Sequence, residues 1–192
     1  MLLAYSMQRL PFAGVMLFAL ACAPSPEKSG GDVNRGDVRG DAPSPATTLI
    51  TTDRNSYRIR RTADALELDI VTTFTNRTSD TVRLHPCGTS QPSFALEKSV
   101  EGAWRPAFRQ VCTMMLMLDP PRVAPGESRT DTARVRAMLA PNSAPRFEEG
   151  MPIPGRYRVV YVQAYRTWIP NEGPGELLPL EQRVSNVFVI EE

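Results

Sequence analysis

Along residues 65–76 apolar and polar side chains alternate. Leu66, Leu68, Ile70 and Phe74 fall on one face, and Glu67, Asp69 and Thr73 on the other. A period of two marks a strand with one face buried and the other wet. The same period returns after the polar turn Asn76-Arg77-Thr78-Ser79-Asp80, with Val82 and Leu84 inward in residues 81–85. Residues 154–162, Pro-Gly-Arg-Tyr-Arg-Val-Val-Tyr-Val, open on a turn dipeptide and continue as a run of β-branched and aromatic residues, so this segment is expected to be a central strand. Shorter strands are expected at 47–52, 57–59, 94–98, 112–118, 128–135 and 184–191. Turns are expected at Glu101-Gly102, Pro120-Pro121 and Ala124-Pro125-Gly126-Glu127. No stretch longer than a turn or two carries a period of 3.6.

Seven to nine short strands with turn signals at this spacing point to an all-β domain, two antiparallel sheets packed face to face as an immunoglobulin-like sandwich over residues 47–192. A small barrel is the alternative.

The front of the chain follows a different pattern. Residues 1–21 carry one charge, Arg9, before an apolar run from Leu10 to Ala21 that is too short to span a bilayer and is laid out like an export signal. Met7 offers an alternative start, with Arg9 supplying a short basic region. Leu17-Phe18-Ala19-Leu20-Ala21-Cys22 resembles the lipobox of bacterial lipoproteins, although Leu20 stands one place later than the usual leucine. The resemblance implies that Cys22 is lipidated and becomes the N-terminus; an ordinary signal peptide with a chance cysteine is the alternative. Ala23, where inner-membrane lipoproteins carry aspartate, points to the outer membrane. Residues 23–46 are rich in Gly, Pro, Ser and Asp and bury too little apolar surface to offset ordering, so 22–46 is expected to be a lipidated cysteine and flexible linker. The tripeptides Arg35-Gly36-Asp37 and Arg39-Gly40-Asp41 inside it match an integrin-recognition motif but arise cheaply in such a composition.

Of the 22 basic residues only Arg9 is lost with the leader, which leaves 21 basic against 21 acidic side chains. A balanced chain gives no overall pull toward nucleic acid. In an exported protein the two cysteines left after Cys22, Cys87 and Cys112, are expected to form a disulfide across an irregular excursion containing Gly88, Pro92 and Trp104.

Residues Phe94-Ala95-Leu96-Glu97-Lys98, Gly102-Ala103-Trp104, Val123-Ala124-Pro125-Gly126-Glu127-Ser128 and Pro154-Gly155-Arg156-Tyr157-Arg158-Val159 together resemble a family of bacterial immunoglobulin-like domains often found on lipoproteins. They are more distantly similar to the bacterial intracellular proteinase-inhibitor domain family. These are strand and turn signatures over roughly residues 65–190. The resemblance implies a fold and transfers no catalytic residue.

Candidate chemistry is sparse. His85 is the only histidine, and no Gly-x-Ser-x-Gly elbow, His-Glu-x-x-His or phosphate loop accompanies it. Met114, Met115 and Met117, near Cys112, are soft copper ligands in type. Alternate methionines on a strand cannot all face one ion, however, and methionine is a common core filler. Asn76-Arg77-Thr78 matches a glycosylation sequon and also reads as a turn. The pairs Glu148-Glu149 and Glu191-Glu192 look solvated. No catalytic residue, metal or cofactor is assigned.

Contacts with a partner are expected from loops at the ends of the sandwich. The loop at 137–153 bears Met138, Leu139, Phe147 and Met151; the loop at 168–179 bears Trp168, Ile169 and Leu177. These residues either bind a partner or cap the core. The expectation is a membrane-anchored, non-enzymatic envelope module with a protein or glycan partner. A proteinase inhibitor presenting the 137–153 loop is the alternative.

Overall fold

A computed structural model describes residues 48–88, 91–112, 120–140, 142–169 and 173–192, with backbone only at Trp168 and Ile169. The expected leader, Cys22, the linker with its two Arg-Gly-Asp triplets, and Met114, Met115 and Met117 lie outside them. Nine strands carry the architecture: β1 (Ile50–Thr52), β2 (Ser56–Arg58), β3 (Ala65–Thr75), β4 (Val82–Leu84), β5 (Phe94–Val100), β6 (Ala103–Arg109), β7 (Ser128–Met138), β8 (Gly155–Tyr161) and β9 (Phe188–Glu191). Shorter two-residue ladders flank them, and the helix among the described residues is a single turn, Leu180–Arg183. The protein is all-β, and among the described residues its pairings are antiparallel apart from β2, which runs parallel to β9, and the isolated parallel bridge Ile50–Ser185.

β3 is the centre of one sheet, with β1 on one side together with Arg60–Arg61, and β7 on the other. The β3–β7 ladder runs unbroken from Thr75 opposite Ser128 to Ala65 opposite Met138. As the alternation requires, Leu66, Leu68, Ile70 and Phe74 are buried. The second sheet has the order β2-β9-β8-β5-β6, which places β8 in the middle. A third, small sheet sets β4 between Arg122–Val123 and Ala164–Tyr165. The inner faces of the two large sheets share one core. Phe74 stacks on Tyr161 at 6.3 Å between ring centroids, and Thr72 hydrogen-bonds the Tyr161 hydroxyl at 2.8 Å in the buried interior. Burial pushes the ionisation of Tyr157 and Tyr161 well above the ordinary phenol range.

Contacts across β5, β6 and β8 explain the turn and strand signatures. Glu101 and Gly102 both have positive φ (52° and 81°), as a two-residue hairpin turn with the twist of its strands requires. Arg158 sits opposite Glu97 in the β8–β5 register and pairs with it at 2.6 Å. The Arg158 guanidinium also lies 4.4 Å from the Trp104 ring centroid, a cation–π contact that shields the pair. Lys98, opposite Tyr157, points inward and is buried. Its ammonium donates to the carbonyls of Pro152 and Pro154 and lies 5.6 Å from the Tyr157 ring centroid. Desolvation lowers its pKa. Tyr157 donates its hydroxyl to the Ile153 carbonyl at 2.5 Å.

Several expectations are corrected in detail. The excursion between the cysteines is irregular only in part, because β5 and β6 form a hairpin within it that belongs to the main sheet. Cys112 lies beyond the strands, and 113–119 are outside the described residues. Residues 184–191 are not one strand. The single helical turn ends at Val184, and Ser185 leaves the ladder to accept a hydrogen bond from the Val159 amide at 2.9 Å. Next to it, Asn186 accepts from the Thr52 amide at 2.7 Å and so ties β1 to the terminal segment. Met138 belongs to β7, not to the loop after it.

An arginine-lined groove as the candidate functional site

The segment from Asp53 to Arg61 passes from one sheet to the other. Tyr57 and Ile59 alternate inward, while Arg58 and Arg60 alternate outward. Tyr57 packs edge-on against Phe188 at 5.2 Å and donates its hydroxyl to Asp53 at 2.5 Å. Burial first, and that bond second, push its pKa up to about 12. The Ile59 amide donates to the Glu191 carbonyl at 2.9 Å. Beyond it Arg60 and Arg61 pair with Glu67 and Leu66 of β3. This crossing brings the alternating arginines alongside β3, on the side away from β7.

The result is an open groove of about 520 Å³. Arg54, Arg58 and Arg60 line one side, Arg134 and Arg136 of β7 the other, and Glu67 and Asp69 of β3 the floor between them. Five guanidiniums and two carboxylates line it; Asp53 and Asp64, outside the lining, pair with Arg54 and Arg136, which leaves an excess of one positive charge.

The register orders these charges into rows. Glu67 is opposite both Arg60 and Arg136, and Asp69 is opposite Arg134. The Glu67 row is closed: Arg60 pairs with Glu67, while Arg136 reaches Glu67 at 3.7 Å and Asp64 at 3.1 Å. The Asp64 carboxyl is held below its usual range, first by the Thr62 hydroxyl and then by the charge of Arg136. The Asp69 row is open: among the described residues no carboxylate comes within 4.0 Å of Arg58 or Arg134. Arg54 pairs with its neighbour Asp53 at 3.3 Å.

The residues singled out in the sequence lie elsewhere. Met138 ends β7, and its amide donates to the Pro145 carbonyl at 2.8 Å. Phe147 packs on Phe108 at 5.6 Å, and Phe147, Met151 and Ile153 all rest partly buried against the core. In the second loop, Trp168–Ile169 pair with Gly173–Pro174, and Leu178 is buried. Leu139 and Leu177 are the large apolar side chains of the two loops that stand exposed among the described residues, at 38% and 39%. His85 is half-buried, with Nδ1 3.3 Å from the Pro86 carbonyl. No group of three or more His, Cys, Asp or Glu among the described residues is arranged to hold a metal ion.

Cys87 and Cys112 are joined, with Cα atoms 5.0 Å apart. Asn76 of the sequon is fully buried. Its Nδ2 donates to the carbonyls of Asp80 at 2.7 Å and Val123 at 2.8 Å, and its Oδ1 accepts from the Thr78 amide and hydroxyl at 3.0 and 2.7 Å. Every hydrogen-bonding position of that side chain is occupied by the turn it organises. Glu149 pairs with Arg146 at 3.2 Å, and Glu191 accepts from the Ser56 hydroxyl at 2.7 Å.

Sequence reasoning missed the groove because its two walls are far apart along the chain and net charge averages them away. A signal was present: Tyr57-Arg58-Ile59-Arg60 and Arg134-Val135-Arg136 each alternate arginine with a buried residue. That spacing sends all the arginines of a strand to one face.

Set against protein-family models, curated proteins and solved structures, the chain matches none.

Proposed function

We propose that this protein is an exported, lipid-anchored envelope module with an immunoglobulin-like sandwich, acting by binding and not by catalysis. Cys22 is its membrane attachment and residues 23–46 are its tether. The observation that carries the binding role is the groove: charged side chains with no acidic partner among the described residues, Arg58 and Arg134, are set on paired strands over a solvent-open cavity. Arginines kept without acidic partners on a rigid scaffold suit a preorganised contact surface. Reaction chemistry draws less support, since Cys87 and Cys112 are bonded to each other and neither is a free thiol.

The inhibitor alternative needs a loop that stands clear of the body. In the loop after β7, Phe147, Met151 and Ile153 rest partly buried against the core, which speaks against a loop that stands clear.

The test of the anchor is Cys22→Ala in the producing cell. The native protein is expected in the membrane fraction and the variant in the soluble exported fraction. A variant that stays membrane-bound removes the lipid anchor from the account.

A further inference from the structure

Resting on the reading of this chain as a binding module, we propose that the groove is a site for a multivalent oxyanion, a ligand bearing two or more phosphate or carboxylate groups. Guanidinium groups match such oxyanions through paired N–H donors. Successive outward residues on a strand are about 7 Å apart, and the strands on either side of β3 are about 10 Å apart. Arg58 and Arg60 on one wall and Arg134 and Arg136 on the other therefore present charge at several points. A single small anion engages one or two of them, whereas a ligand with repeated oxyanions engages both walls.

Glu67 and Asp69 lie between the walls. Glu67 holds Arg60 and Arg136 in place from both sides, which preorganises their remaining donors for a ligand. Among the described residues no carboxylate, Asp69 included, comes within ion-pair distance of Arg58 or Arg134. The lining also argues against other ligand classes. Its one aromatic, Tyr57, is buried with its hydroxyl committed to Asp53, so no ring face is available for stacking a base. Leu68 and Val135 are buried as well, so no exposed apolar side chain in the groove offers an anchor to a hydrophobic partner. Recognition by charge is what remains, and the ligand is an anionic sugar or phosphate chain, free or as a lipid headgroup.

The experiment uses the full chain carrying Cys22→Ala, so that an acyl anchor cannot hold it to a bilayer. Tripolyphosphate and orthophosphate are titrated calorimetrically at low salt, and sedimentation is measured with phosphatidylcholine vesicles with and without phosphatidylglycerol. Tripolyphosphate is expected to bind at least tenfold more tightly than orthophosphate. Arg58→Glu and Arg134→Glu are each expected to weaken it at least tenfold, while Arg105→Glu, on β6 outside the groove, leaves it unchanged. Arg58→Gln and Arg134→Gln, which only remove charge, are expected to weaken it about threefold and serve if a reversal fails to fold. Vesicle binding that requires phosphatidylglycerol and is lost in the same variants assigns the oxyanions to headgroups. No binding of either probe, or equal loss in Arg105→Glu, overturns the site. Because the anchor is already removed, this result is independent of whether Cys22 is acylated.

Discussion

Gly155→Ala is expected to destabilise the domain by about 4 kcal/mol, from backbone strain of roughly 1–3 kcal/mol and the displacement of a buried, hydrogen-bonded ammonium. Gly155 begins the central strand at φ +148°, and a Cβ built there would lie 2.7 Å from Cε of Lys98 and 3.2 Å from its Nζ. Lys98 has little room to yield, because its ammonium is pinned to the carbonyls of Pro152 and Pro154 just before the strand. Chemical denaturation of the variant is the measurement. Adding Lys98→Ala to Gly155→Ala should recover the part of the loss due to the clash, giving a positive coupling in a double-mutant cycle. Additive effects would show that glycine and lysine do not meet.

Reducing the Cys87–Cys112 bridge is expected to cost nearly as much, about 3.5 kcal/mol, for a loop of 25 residues in the chain-entropy treatment. The loop contains the whole β5–β6 hairpin, including the edge of the main sheet. Opening it frees the unfolded chain and releases residues 110–112 from the short ladder Pro86–Cys87 with Gln91–Pro92. In a domain of this size each kcal/mol moves Tm by about 2–4 °C, so the reduced protein should melt roughly 7–14 °C lower. Melting with and without a phosphine reductant reads this directly, and coincident curves would remove the staple.

How much of this was legible depends on how local the cause is. The long β3 strand was legible because Leu66, Leu68, Ile70 and Phe74 turn in and Glu67, Asp69 and Thr73 turn out, in a sheet with a single buried face, even though Val71 and the buried Thr72 depart from the apolar-in rule. The Glu101-Gly102 turn was legible because two consecutive positive φ angles need a residue such as glycine. The Pro-Gly signature of β8 marked a strand, but the reason for its glycine lies in Lys98, more than fifty residues earlier, which no local pattern reports. The expected end of β7 at Val135 falls short, because Arg136, Ala137 and Met138 stay in the ladder opposite Glu67, Leu66 and Ala65. What ends the strand is Leu139 turning to donate its amide to the Asp64 carbonyl.

By residue type the final segment reads as one strand. Val184, Val187 and Phe188 have the right types, but Ser185 and Asn186 are used as hydrogen-bonding staples between sheets. The groove was the least legible feature. Its walls are brought together by a parallel pairing between β2 and β9, residues some 130 positions apart, and by the crossing at Ile59 that follows. Charge counted over a whole chain has no access to such segregation.

The central claim is that this domain works on the end of an acyl-anchored tether outside the cytoplasm. Mass spectrometry of the N-terminal peptide, from protein extracted out of native membranes, tests it most directly. The account predicts a mature chain beginning at Cys22 with a mass increment of fatty acyl groups on that residue. A mature N-terminus at any other residue, or an unmodified Cys22, would contradict it.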